Sequence, residues 1–111
     1  MAYHSEQFEH FLMERMTGPE FRVFEAKVAL WMVQPPVVGA FDVEFQAPGS
    51  RRCIRISYYW SSVLGQIFIV GGWILRRGEP TDLDQASMQA YLEAIRSWEA
   101  VPAHRPEMFN R

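Results

Sequence analysis

The hydrophobic period of this chain changes at Pro35-Pro36, and that change decides what class of fold it can adopt. Upstream, Phe8, Phe11, Leu12 and Met16 recur at i, i+3, i+4 and i+8, the stripe of a helix over residues 5–16. Ser5 is a natural N-cap for it, and Gly18 stands where it would stop. Thr17-Gly18-Pro19-Glu20 opens a second helix: a hydroxyl at N-cap, proline in the first turn and glutamate at N3 make a capping box. Phe21, Phe24, Val28, Trp31 and Met32 carry its apolar face. Pro36 forces Pro35 into an extended conformation and ends it.

After Gly39 the period becomes two. Phe41, Val43 and Phe45 alternate with Asp42, Glu44 and Gln46, the pattern of a half-buried strand. Ala47-Pro48-Gly49-Ser50 is turn chemistry. A second strand runs from Arg52 to Trp60, with Ile54, Ile56, Tyr58 and Trp60 on one face and Cys53, Arg55, Ser57 and Tyr59 on the other. The third, Gln66 to Leu75, contains an Ile-Phe-Ile-Val run that is apolar on both faces and belongs at the centre of a sheet. Gly71-Gly72 marks a bulge or a close backbone approach. A last helix begins at Thr81 or Asp82, with Leu83, Met88, Tyr91, Leu92, Ile95 and Trp98 as its apolar positions. Residues 100–111 read as a surface tail.

These elements predict one α+β domain over residues 1–111: two N-terminal helices, a three-stranded antiparallel meander and a C-terminal helix. The helices are expected on one face of the sheet, the first two on the Ile54/Ile56 side. A chain of this length buries roughly two-thirds of its unfolded surface, enough for one core. No apolar run approaches the ~18 residues of a membrane span. The start, MAYHSEQF, lacks the charged and apolar regions of a signal peptide. With Cys53 as the single cysteine, no intrachain disulfide can form, and a cytoplasmic location is expected. His4, His10 and His104 are scattered, so neither a metal nor another cofactor is expected. Asp82 and Asp84 read as caps near a helix start.

Charge is less even than the net value of −2 suggests. The window from Arg51 to Gly78 holds five arginines and no acid. Arg52 and Arg55 start one strand, and Arg76 and Arg77 end the next, so a meander would bring them near one another. Like charges on neighbouring strands repel unless an anion or a carboxylate lies between them. Two readings follow. Either the patch takes a phosphate or an acidic partner, or Asp42, Glu44 and the acids of the early helices neutralise it. Tyr59, on the Arg55 face, could then stack a base.

Three segments carry a family resemblance: Arg55-Ile-Ser-Tyr58, the strand from Gln66 to Arg76-Arg77, and Thr81-Asp82 leading to a helix with Ala86. Over about residues 20–96 the chain resembles the RelE/HigB-type toxin superfamily. That resemblance implies a small α+β ribosome-dependent mRNA endoribonuclease without metal, neutralised by a cognate antitoxin. Its catalytic arginines would map to Arg55, Arg76 and Arg77, with Arg52 on a neighbouring phosphate and Tyr59 positioning a base. Two features depart from the family. MAYHS is too short to predict the strand that usually precedes the helices, and the chain is mildly acidic with one lysine, Lys27. No general base stands out; Glu79 is the carboxylate nearest the basic pair in sequence. The alternative is a non-catalytic α+β binding module, such as an inhibitor, immunity or phage-encoded regulatory protein. It would use the arginine-rich sheet face to bind an acidic protein or RNA.

Overall fold

The computed structural model describes residues 3–76, 79–80 and 85–101. The elements, in order, are β1 (Tyr3–His4), α1 (Glu6–Glu14), α2 (Gly18–Val33), β2 (Gly39–Phe45), β3 (Cys53–Ser61), β4 (Gln66–Arg76), β5 (Glu79–Pro80) and α3 (Gln85–Ala100). The fold is α+β. The meander is present: β2 pairs with β3 from Gly39↔Trp60 to Phe45↔Ile54, and β3 pairs with β4 from Cys53↔Leu75 to Ser61↔Gln66, both antiparallel. Gly65, at φ +63°, turns the chain between β3 and β4 in a conformation that favours glycine.

Two expectations are corrected. The sheet is mixed and larger than a three-stranded meander: β1 runs parallel to β4 through Tyr3↔Phe68 and His4↔Ile69, and β5 adds to the same outer edge at Leu75 and Arg76. Two residues suffice for β1 because the first turn of α1 continues its work, as described below. The helices also occupy both faces. Helices α1 and α2 cover the Ile54/Ile56 side, where Phe8, Phe11, Phe24, Tyr58, Ile67 and Ile69 close a core. Helix α3 lies on the other side, where Leu64, Phe68, Val70, Tyr91 and Ile95 form a second. The physical reason is strand β4: Phe68 and Val70 are as buried as Ile67 and Ile69, so its two faces need separate covers. Among the described residues, no helix is long and apolar enough to cross a membrane.

The helix starts follow the predicted caps. Ser5 accepts a hydrogen bond from the Phe8 amide, and Thr17 and Glu20 form the reciprocal capping box. Helix α2 is pinned to β2 and β3 by three rings: Trp31 stands edge-on to Phe41 (5.3 Å between centroids) and to Tyr58 (4.7 Å), which stack on each other at 5.2 Å. Such pairs add about 0.5–1.5 kcal/mol beyond burial. Ile54 and Ile56 are fully buried beneath the helices, each burial stabilising the fold by about 1.5–3 kcal/mol.

The glycine pair of β4 does both things its sequence suggested. The β3–β4 register skips Val70 between Ser57↔Gly71 and Tyr58↔Ile69, which is a bulge. At the same place the backbone is approached closely: a Cβ on Gly72 would sit 2.6 Å from Cδ2 of Phe11, and one on Gly71 would meet the Trp73 ring. Gly72→Ala is therefore expected to destabilise the protein by about 1–3 kcal/mol through overpacking against Phe11. Urea denaturation measures this, and the Gly72→Ala, Phe11→Leu double variant should recover part of the loss.

Candidate functional site

Arg52 and Arg55 reach opposite sides of the sheet, and each finds its own carboxylate. Arg52, just ahead of β3, reaches the α1–α2 side. Its Nε donates to Oε2 of Glu20 at 2.7 Å and its Nη2 to Oε1 at 2.6 Å. The same Nη2 also donates to the carbonyl of Arg15, the residue that ends α1. Glu20 has no solvent exposure. Its Oε1 additionally accepts the Thr17 amide at 2.9 Å, so one carboxylate caps α2 and binds the arginine. Hydrogen bonding from Arg52 holds the Glu20 carboxyl below its ordinary value of 4.5, against the opposing effect of burial.

Arg55 lies on the α3 side. In register with Glu44 across β2, it donates from Nε (2.9 Å) and Nη2 (2.6 Å) to a single oxygen, Oε2. Next along the ladder, the Ser57 hydroxyl donates to Oδ1 of Asp42 at 2.6 Å. Arg55, Asp42 and Ser57 edge an open cleft of about 300 Å³ whose apolar wall is Trp73, Met88 and Leu92. Among the described residues, the carboxylates of Glu44 and Asp42 both lie beside Arg55. A phosphate placed there would meet Asp42 and Glu44 as well as the arginine.

Arg76 is exposed at the end of β4. Past the bulge, its strand parity matches that of Gly72 and Ile74, whose side is that of α1 and α2. The sheet therefore separates it from Arg55. Arg77 lies outside the described residues, as do Thr81, Asp82, Asp84 and His104, and the same holds for the side chain of Glu79. Tyr59 is half-buried beneath α3, where its hydroxyl donates to Oε1 of Glu99 at 2.9 Å. Burial, reinforced by that carboxylate, raises its pKa. Its ring packs, partly buried, against the second core. Among the described residues, no group of three His, Cys, Asp or Glu could hold a metal.

Two contributors, Glu99 and Gln7, were not singled out from the sequence, and Ser5 was read only as a helix cap. Glu99 joins α3 to β3 by accepting from both Tyr59 and Ser61. Gln7 binds Gly72 twice, its Nε2 donating to the carbonyl at 2.8 Å and its Oε1 accepting the amide at 2.9 Å. Ser5 donates its hydroxyl to the Val70 carbonyl at 2.6 Å. Each is a polar residue on a helix or at its cap. Ser5 and Glu20 gave signals, through the N-cap and the capping box, and those signals revealed neither the Val70 carbonyl nor Arg52. No protein-family model and no curated protein matches this chain.

The two ion pairs should respond differently to mutation. Arg52→Ala strands a carboxylate with no exposure and is expected to cost about 3–5 kcal/mol in chemical denaturation. Arg55→Ala, at a pair open to solvent, should cost roughly 0.2–1 kcal/mol. The pH dependence has a definite sign. Because Glu20 is an acid with a lowered folded pKa, its contribution is complete above the unfolded value of 4.5 and is lost as pH falls through the folded one. Denaturation between pH 7 and pH 3 should show this acid limb flattened in Glu20→Gln, which keeps the cap but not the charge.

Proposed function

We propose that this chain is a non-catalytic α+β binding module whose partner is a protein. The observation that carries this reading is the crowding of exposed apolar side chains at one place. Of the eight large hydrophobics exposed among the described residues, five lie within residues 30–38: Leu30, Met32, Val33, Val37 and Val38. They occupy the last turns of α2 and the connection into β2. Apolar surface gathered in this way marks an interaction site rather than ordinary scatter. The engagement of Arg52, Arg55 and Tyr59 supports the same reading, since groups spent on internal bonds would have to be freed before they could grip RNA.

A second reading keeps two supporting observations. A strand does precede the two helices, as the RelE/HigB resemblance implies, and Arg76 is exposed at the end of β4. On that reading the protein is a ribosome-dependent ribonuclease restrained by an antitoxin, with Arg55, Arg76 and Arg77 stabilising the scissile phosphate.

One experiment separates the two. The purified chain is added to a reconstituted translation reaction, and transcript integrity is followed by primer extension. Growth after induced expression is followed in parallel. The binding-module reading expects intact transcripts and unchanged growth. Cleavage that Arg55→Ala reduces by about 100-fold or more, the usual effect of losing one transition-state donor, would overturn it and establish the ribonuclease.

A further inference from the structure

We propose that the free edge of β2 receives an extended segment of the partner protein in which apolar and basic residues alternate. The inference rests on the protein-binding reading above and names the chemistry of the partner.

Strand β2 is the last in the sheet order β1-β4-β3-β2, and its outer edge pairs with no strand among the described residues. An unpaired edge is a row of backbone donors and acceptors ready to accept another chain. Folded proteins commonly blunt such edges with lysine, proline or a bulge. Residues 39–45 have none of these, and their seven pairs with β3 run in unbroken register. After Gly39, whose φ of +103° opens the strand, residues 40–45 present an edge that no strand covers among the described residues.

The side chains specify what can add to it. Phe41, Val43 and Phe45 are half-buried on the side of α2, while Ala40, Asp42 and Glu44 are exposed on the other. A segment joining this edge would set one alternate row beside the phenylalanines and valine, continuous with the exposed Val37 and Val38. Its other row would lie beside Asp42 and Glu44. The first row must be apolar, and cross-strand charge makes the second basic. Arg55 already serves Glu44 from the β3 side, whereas Asp42, exposed on the same face, accepts the Ser57 hydroxyl. The acids also exclude a second copy of this chain in the best-overlapped registers. Antiparallel self-pairing centred on Asp42 sets Asp42 against its equivalent, and centring on Val43 sets Asp42 against Glu44.

The test uses blocked synthetic peptides of about eight residues, long enough for one ordinary strand. One alternates valine with lysine, and a second alternates valine with glutamate. A third is the valine–lysine peptide with N-methyl groups on the amides of one edge. Affinity is read by fluorescence anisotropy at low and high salt, and amide hydrogen exchange locates the contact. The expected result is binding of the valine–lysine peptide, weakened by salt, with new protection confined to residues 39–45 and loss of binding on N-methylation. Asp42→Lys should weaken it about fivefold or more and favour the glutamate peptide. Asp42→Asn, which retains an acceptor for Ser57, guards against a folding defect.

Equal affinity for the glutamate or N-methylated peptide would overturn the proposal. So would protection of these amides by self-association seen in light scattering, by RNA, or by the chain's own residues 102–111, as judged by binding that appears only after their removal. Absence of peptide binding with transcripts intact removes the β2 edge alone. Transcript cleavage removes the binding-module reading itself.

Discussion

Strand β4 has to be satisfied in three directions, and most of the architecture answers that requirement. It is buried on both faces, so water cannot serve its backbone, and unpaired buried amides are costly. Strand β3 takes one edge. The other is shared by β1, the first residues of α1 and β5. Between them, Ser5 takes the Ile69 and Val70 carbonyls, and the Gln7 amide imitates a backbone unit opposite Gly72. A two-residue strand is enough because a helix cap and one glutamine complete it. Ser5 thereby closes the end of α1 and the edge of the sheet with one side chain.

The arginines show why local charge is a poor guide to a site when partners are distant in sequence. The acid-free window is real, yet Glu44 stands opposite Arg55 on the adjacent strand, and Glu20 comes from 32 residues before Arg52. Glu20 is already committed to capping α2 and is fully buried, which makes its ion pair a structural joint. The exposed pair at Arg55 is of a different kind. It sits on an acidic stretch of β2, so this side of the sheet is of mixed sign and not the cationic surface that the arginine count suggested.

Local features were legible in the sequence because they depend on neighbours a few residues away. The capping box at Thr17, the helix end at Pro35-Pro36, the alternating faces of β3 and the irregularity at Gly71-Gly72 all belong to this class. What the sequence withheld depends on contacts across tens of residues. Strand β1 has no periodicity to display in two residues. The placement of α3 followed from the apolar second face of β4, a clue already present in Phe68 and Val70. The joint arginine site was the least legible, since strand parity separates Arg52 from Arg55 and a bulge must be counted before Arg76 can be assigned a side.

The glutamine clamp on Gly72 also orders events in time. Gln7 and its target are 65 residues apart, and β1 pairs with a strand that follows both α1–α2 and the β2–β3 hairpin in the chain. Contacts of such separation carry the largest loop-closure cost and form late. During synthesis residues 3–7 must therefore wait, their edge-capping groups unspent, until β4 emerges. The hairpin of β3 and β4 joins strands close in sequence and needs no such delay, so residues 3–7 form the latch on the outer edge of β4.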